Sequence, residues 1–94
     1  MSKSLISNEK ECLFCGTTLD IHRHHIYGGV ANRKLSEEDG CWVYLCARHH
    51  NMSDVGVHFN KEEDIRLKQL CQRIWERKHG GREKFIERYG KSYL

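Results

Sequence analysis

The stretch CWVYLCARHH at residues 41–50 decides the fold of this 94-residue chain. Its apolar run over 41–46 has the length and composition of a β-strand. The run ends at Cys46, and His49 follows after two intervening residues, a spacing that lets both side chains of one tight turn reach the same metal ion. The stretch therefore predicts a strand that leads directly into a metal-binding turn.

A second strand is predicted upstream, at Leu19–Ile26. Apolar and polar residues alternate roughly there, with β-branched and aromatic members, and Gly28 and Gly29 end the segment. The two strands can pair as an antiparallel hairpin. Residues 30–40 are polar, and we expect them to form a loop between the strands.

Helices are predicted after the second strand. A short helix should run from Ala47 to about Asp54, where Gly56 stops it. Asn60 and Glu63 have the spacing of a capping box, so a longer helix should follow over 61–78. Its apolar side chains recur at intervals of three and four, as a buried stripe requires: Ile65, Leu67, Leu70, Cys71, Ile74 and Trp75.

The chain ends in a second helical segment. Gly80-Gly81 should break the long helix, Arg82–Tyr89 should form a last short helix, and Gly90 suits its C-terminal cap. We also expect Cys71, Trp75 and Tyr89 to lie in the core. Together these elements predict a small α+β domain, an antiparallel hairpin followed by C-terminal helices.

The composition allows one small domain with a thin core. Only 38% of the residues are hydrophobic, 31% are charged, and the mean hydropathy is −0.74. We expect a flexible tail over 1–10, a zinc-stabilised core over 11–60, and a helical extension over 61–94 packed on that core. Domains of this size commonly use metals or disulfides to supplement their core.

The five cysteines point to metal rather than to disulfides. Their odd number excludes a fully paired disulfide framework within one chain. No apolar stretch has the arrangement of a secretory signal or the roughly 18 residues of a membrane span. We therefore expect a reducing, cytoplasmic setting, in which thiols near many histidines are read as metal ligands.

Cys12-x-x-Cys15 and Cys46-x-x-His49 together predict a structural zinc site. Two such turns complete a tetrahedron of three thiolates and one imidazole, with no position left open for catalysis. His50 could replace His49 as the fourth ligand.

The chain has more histidines than this zinc site needs. Those near the predicted strands are His22, His24, His25, His49, His50 and His58. The surplus suggests a second metal site with an open position. Because neighbouring strand residues point to opposite faces, His24 and His25 should differ in role, one binding metal and one taking a proton from water.

These motifs resemble the HNH endonucleases, in the branch of that family that carries a pair of zinc knuckles. The resemblance covers about residues 12–58, and 61–94 are similar to the helical tail of small phage-encoded HNH proteins. It rests on the order and spacing of Cys12-x-x-Cys15, Arg23-His24-His25-Ile26 and Leu45-Cys46-x-x-His49-His50.

The resemblance implies a metal-dependent DNA endonuclease with a ββα-metal fold. It assigns His25 as the general base that activates water. His24 and His50 would be ligands of the catalytic divalent ion, which could be Mg²⁺, Mn²⁺, Ni²⁺ or Zn²⁺. A final ligand is expected about one helical turn later; we favour His58, with Asp54 as the alternate.

One position departs from the family pattern. The family asparagine that braces the loop holding the general base corresponds to Cys41. Asn32, Asp39 or Asn51 could brace that loop instead.

The predicted partner is DNA. The net charge of +3 mildly favours an anionic partner. Four cations close to the histidines are the candidates for gripping the cleaved strand: Arg23, Arg33, Lys34 and Arg48. The resemblance also implies phage packaging or recombination proteins as companions.

A non-catalytic zinc module that binds nucleic acid or a protein is the alternative function. The Cys41 departure would then mark lost chemistry. Redox use of Cys12-x-x-Cys15 is disfavoured, because that motif belongs to βα junctions of larger sheets. His22 and His79 receive no role from the sequence.

Overall fold

The structure, a computed structural model, describes residues 3–52, 56 and 60–94. It is a small α+β unit that contains the predicted pair of strands. Its described elements, in chain order, are β1 (Ile21–His25), α1 (Val30–Asp39), β2 (Trp42–Cys46), a π-helix (Arg48–Met52), α2 (Lys61–His79) and α3 (Arg82–Tyr89). No helix in these ranges combines the length and the apolar content needed to cross a bilayer.

The two strands pair antiparallel, as the sequence predicts. Ile21 lies opposite Cys46, and His25 lies opposite Trp42 at the other end of the ladder. The start of β1 therefore sits beside the turn that follows Cys46. This register places the histidines of β1 next to the metal-binding turn.

The connection between the strands is a helix, so the prediction of a loop over 30–40 is wrong. Most residues of α1 are good helix formers, but the helix lacks an apolar stripe, and its one buried residue is Ser36. The Ser36 hydroxyl donates to the Tyr27 carbonyl (3.0 Å) and accepts from the Tyr27 amide (3.1 Å). Polar contacts, which hydrophobic periodicity does not reveal, hold α1 on the sheet.

Part of the predicted flexible tail contacts the core. Ser4 is buried, and its hydroxyl donates to the Trp42 carbonyl over 2.6 Å. The Leu5 amide donates to the carbonyl of Gly40 over 2.9 Å. Gly40 ends α1 with a left-handed φ of 79°, and a Cβ there would collide with the Lys3 carbonyl. Residues 3–5 are thus packed against the turn between α1 and β2.

The C-terminal helices share one apolar core with the strands, and their boundaries are close to those predicted. The Glu63 amide donates to the Asn60 side chain over 3.2 Å, which confirms the cap of α2. Cys71, Trp75 and Tyr89 are buried in the core, as expected. The predicted stripe of α2 is less regular than expected, because two of its members, Ile65 and Leu70, are exposed.

Asp39, at the end of α1, joins all three α-helices. Its Oδ2 accepts hydrogen bonds from Trp75 Nε1 (2.8 Å), Arg88 Nε (2.6 Å) and the Tyr89 hydroxyl (2.7 Å). Burial raises the pKa of the Asp39 carboxyl, but these hydrogen bonds outweigh burial and the pKa lies below its usual value. The ionised carboxylate is therefore the form that the folded protein stabilises.

Replacing Asp39 with Asn should destabilise the fold by about 2–3 kcal/mol, the scale of hydrogen bonds to a charged group. Since the folded pKa is depressed, this stabilisation is present above the unfolded pKa of about 3.9 and is lost as the pH falls through the lower folded value. Urea unfolding at pH 7 and pH 3 measures both effects. Glu38→Gln is the matched control, because Glu38 is exposed and binds Arg88 at the surface; it should cost at most about 1 kcal/mol. Equal losses for the two variants would contradict the prediction.

Candidate metal centre and histidine cleft

Four predicted ligands come together beside the end of β2. The ligand atoms of Cys12, Cys15, Cys46 and His49 all lie within 4.8 Å of one another. His49 Nδ1 is 3.5 Å from Cys12 Sγ and 3.3 Å from Cys46 Sγ, and the sulfurs of Cys15 and Cys46 are 3.9 Å apart. We call these four residues the Cys/His cluster. They could hold a metal ion such as zinc.

The cluster's geometry fits a tetrahedral ion. Zn–S bonds of about 2.3 Å and Zn–N bonds of about 2.0–2.1 Å place neighbouring ligands roughly 3.6–3.8 Å apart. The observed separations are close to these values. Burial raises the pKa of the Cys12 thiol, but backbone hydrogen bonds from Cys46, Cys15 and Phe14 outweigh it and lower the pKa to about 6. Cys12 is thus largely thiolate at neutral pH, the form that binds metal.

Backbone hydrogen bonds shape the first turn of the cluster. The Gly16 amide donates to the Cys12 carbonyl, and the Cys12 amide donates to the Thr17 carbonyl, each over 2.8 Å. Gly16 adopts a left-handed φ of 75°, which glycine tolerates without strain. The Leu13 amide donates to the Tyr44 carbonyl over 3.0 Å and so ties this turn to β2.

His50 lies outside the Cys/His cluster, although the sequence left it open as the fourth ligand. Its Nδ1 is 3.0 Å from Nδ1 of His22, and its ring centroid is 5.3 Å from that of His24. His49 and His50 thus face different groups although they are adjacent in the chain.

A cleft of about 280 Å³ lies beside His50 at the end of β1. It brings together three of the histidines to which the resemblance assigns catalytic roles. Asp54 and His58, the candidates for the last ligand, lie outside the described residues. The cleft is lined by Arg23, His24, His25, Gly28, Gly29, Arg33 and His50.

Glu37 of α1 holds His25, a contact that the sequence did not predict. Its Oε1 lies 3.2 Å from His25 Nε2, and Arg23 donates to both carboxylate oxygens at 2.8 and 2.9 Å. Burial raises the pKa of the Glu37 carboxyl, but the hydrogen bonds from Arg23 and His25 outweigh burial, and the pKa lies below its usual value. An ionised carboxylate therefore orients the His25 ring.

The candidate DNA-binding cations differ in their surroundings. Arg23 is held by Glu37, and its guanidinium carbon lies 3.8 Å from the centroid of Trp42, so it forms part of the cleft wall. Arg33 and Lys34 are exposed on α1 beside the cleft. Arg48 is exposed at the start of the π-helix.

The segment after His25 is braced by the backbone of Cys41 and by the side chain of Ser36. The Ile26 amide donates to the Cys41 carbonyl over 2.9 Å, so the residue at the family's asparagine position acts through its main chain. The Asn32 side chain donates to the Tyr89 carbonyl, and the Asp39 carboxylate binds α2 and α3. The side chains of Asn32 and Asp39 are thus engaged with the C-terminal helices and do not brace this segment. The side chain of Asn51 lies outside the described residues.

Comparisons of the chain with protein-family models, curated proteins and solved structures find no match.

Proposed function

We propose that this chain is a metal-dependent DNA endonuclease of the HNH type. The observation that carries the proposal is the cleft, where His24, His25 and His50 lie together with cations directly beside the Cys/His cluster. In this proposal the cluster binds one structural zinc ion. The cleft binds a second divalent ion, such as Mg²⁺, Mn²⁺, Ni²⁺ or Zn²⁺.

His25 acts as the general base. Donation of its Nε2 proton to Glu37 leaves the lone pair on Nδ1, and a carboxylate partner is the usual way to fix this tautomer. Nδ1 takes a proton from a water molecule as the water oxygen bonds to phosphorus. The bond from phosphorus to the leaving sugar oxygen breaks, and that oxygen takes a proton from solvent. A base positioned in this way contributes about 10²–10⁴-fold to such a reaction.

His24 and His50, which both line the cleft, would hold the second ion. They come from β1 and from the π-helix, and His58, or Asp54 as the alternate, adds a further ligand. A divalent ion supplies Lewis acidity for the charge that develops on the phosphate and the leaving oxygen. Arg33, Lys34 and Arg48 bind the phosphates on either side of the cleaved bond, and Arg23 holds the cleft wall.

Plasmid relaxation tests this function. Zinc-loaded protein should convert supercoiled plasmid to open circles or linear DNA when a divalent ion is added, and EDTA should stop the reaction. Metal analysis after dialysis against the activating ion should find one tightly bound zinc and a second, weaker ion.

The non-catalytic zinc module is the competing function. The Cys/His cluster is the one metal site that this function needs, because three thiolates and an imidazole complete a tetrahedron without an open position. One zinc per chain, with no cleavage under any divalent ion, would exclude the nuclease and support that function.

A further inference from the structure

His22 belongs to the same group of rings as the proposed catalytic ligands. His22 and His24 are two residues apart on β1, so their side chains leave the same face of the strand. The His50 ring lies against both, with centroids 5.2 Å from His22 and 5.3 Å from His24. Three imidazoles from two elements therefore converge at one place.

The distance between His22 and His50 matches the spacing of two ligands on one ion. Two nitrogens that each lie about 2.1 Å from an octahedral ion, at right angles, are roughly 3.0 Å apart, which is also the distance of a hydrogen bond between two imidazole nitrogens. The two Nδ1 atoms are 3.0 Å apart. Among the described residues, only the Cys/His cluster has all its ligand atoms within 4.8 Å of one another. Metal binding by the three histidines therefore requires at least one ring to rotate.

We propose that His22 is a ligand of the second metal ion, together with His24 and His50. This inference rests on the proposed function, since it names a further ligand of the same site, and the family resemblance assigns no role to His22. Imidazole ligands suit ions such as Co²⁺, Ni²⁺ and Zn²⁺, whereas Mg²⁺ prefers oxygen ligands. The site should therefore bind Co²⁺ and Ni²⁺ more tightly than Mg²⁺.

Calorimetric titration of the zinc-loaded protein with Co²⁺ and with Ni²⁺ tests the assignment, because it measures the affinity for each ion. His22→Ala and His22→Gln should each weaken binding of the second ion by at least about tenfold. Removing a residue that only hydrogen-bonds to a metal ligand already lowers metal affinity by about 10–100-fold, and losing a ligand itself should cost no less. His79→Ala is the control, because this exposed histidine lies against Trp75, on α2. It should leave the affinity unchanged. Zinc content and thermal unfolding establish that each variant is folded.

The glutamine variant separates ligation from hydrogen bonding. Gln can still hydrogen-bond to His50 but is a poor ligand, so a role in orienting His50 would leave the metal affinity of His22→Gln intact. That result would overturn the proposal, as would a wild-type protein that binds no ion beyond the structural zinc.

Plasmid cleavage on the same samples distinguishes this proposal from the nuclease function. Wild-type protein that binds the second ion through His22 but cuts no DNA would support the metal site and exclude the nuclease. Wild-type protein that cuts DNA, with unchanged ion affinity in both His22 variants, would support the nuclease and exclude His22 as a ligand.

Discussion

The His25→Ala variant should lose plasmid cleavage by about 10²–10⁴-fold, the contribution of a positioned general base. The loss should appear in the rate of the cleavage step at saturating metal, because His25 is not a proposed ligand. Initial rates of plasmid relaxation, measured with wild type and variant at equal zinc content, give the comparison.

The fold should tolerate this change. Arg23 keeps its two hydrogen bonds to Glu37 when the His25 ring is removed, and the β1–β2 ladder uses only backbone atoms at this position. Zinc content and the unfolding temperature should therefore match the wild type within a few degrees. His79→Ala is again the control and should cut DNA normally. Retained nicking by His25→Ala would remove His25 from the mechanism.

Loss of the metal from the Cys/His cluster should unfold the whole chain. Structural zinc contributes about 10–16 kcal/mol in small zinc domains, and entire domains are stable by only about 5–15 kcal/mol. Cys46→Ser should therefore yield protein without zinc and without a cooperative thermal transition. Treating the wild type with a strong chelator should abolish the transition in the same way, as followed by circular dichroism.

Cys71→Ala provides the matched control for the cysteine change. Cys71 is buried, like Cys46, but it lies on the face of α2 that packs into the apolar core and is not part of the Cys/His cluster. Removing its sulfur should cost roughly 1 kcal/mol and leave the zinc content at one per chain. A chelated protein that keeps its transition would show that the core alone supports the fold.

The elements that the sequence predicted well are those with local signals. Cys46 and His49 have ligand spacing on a single turn, and Asn60 with Glu63 specifies the beginning of α2 within four residues. The strands carry aromatic and β-branched residues bounded by glycine. In each case the signal and the structure that it predicts lie within a few positions of the chain.

The features that the sequence missed depend on contacts between distant residues. Helix α1 is held by Ser36 on the backbone of Tyr27 and by Asp39 on α2 and α3. Its polar surface gives no periodicity to detect. The contact of Glu37 with His25 exists only because α1 is helical and packs beside β1. A predicted loop over residues 30–40 places no residue against His25, so Glu37 could not be predicted as its partner.

A single peptide bond joins His49 to His50, and the two rings face different sites. His49 faces the thiols of the Cys/His cluster, while His50 faces the imidazoles of β1. An insertion between the two histidines would keep every side chain and still misalign one site with the other, so this junction should not tolerate a change in length.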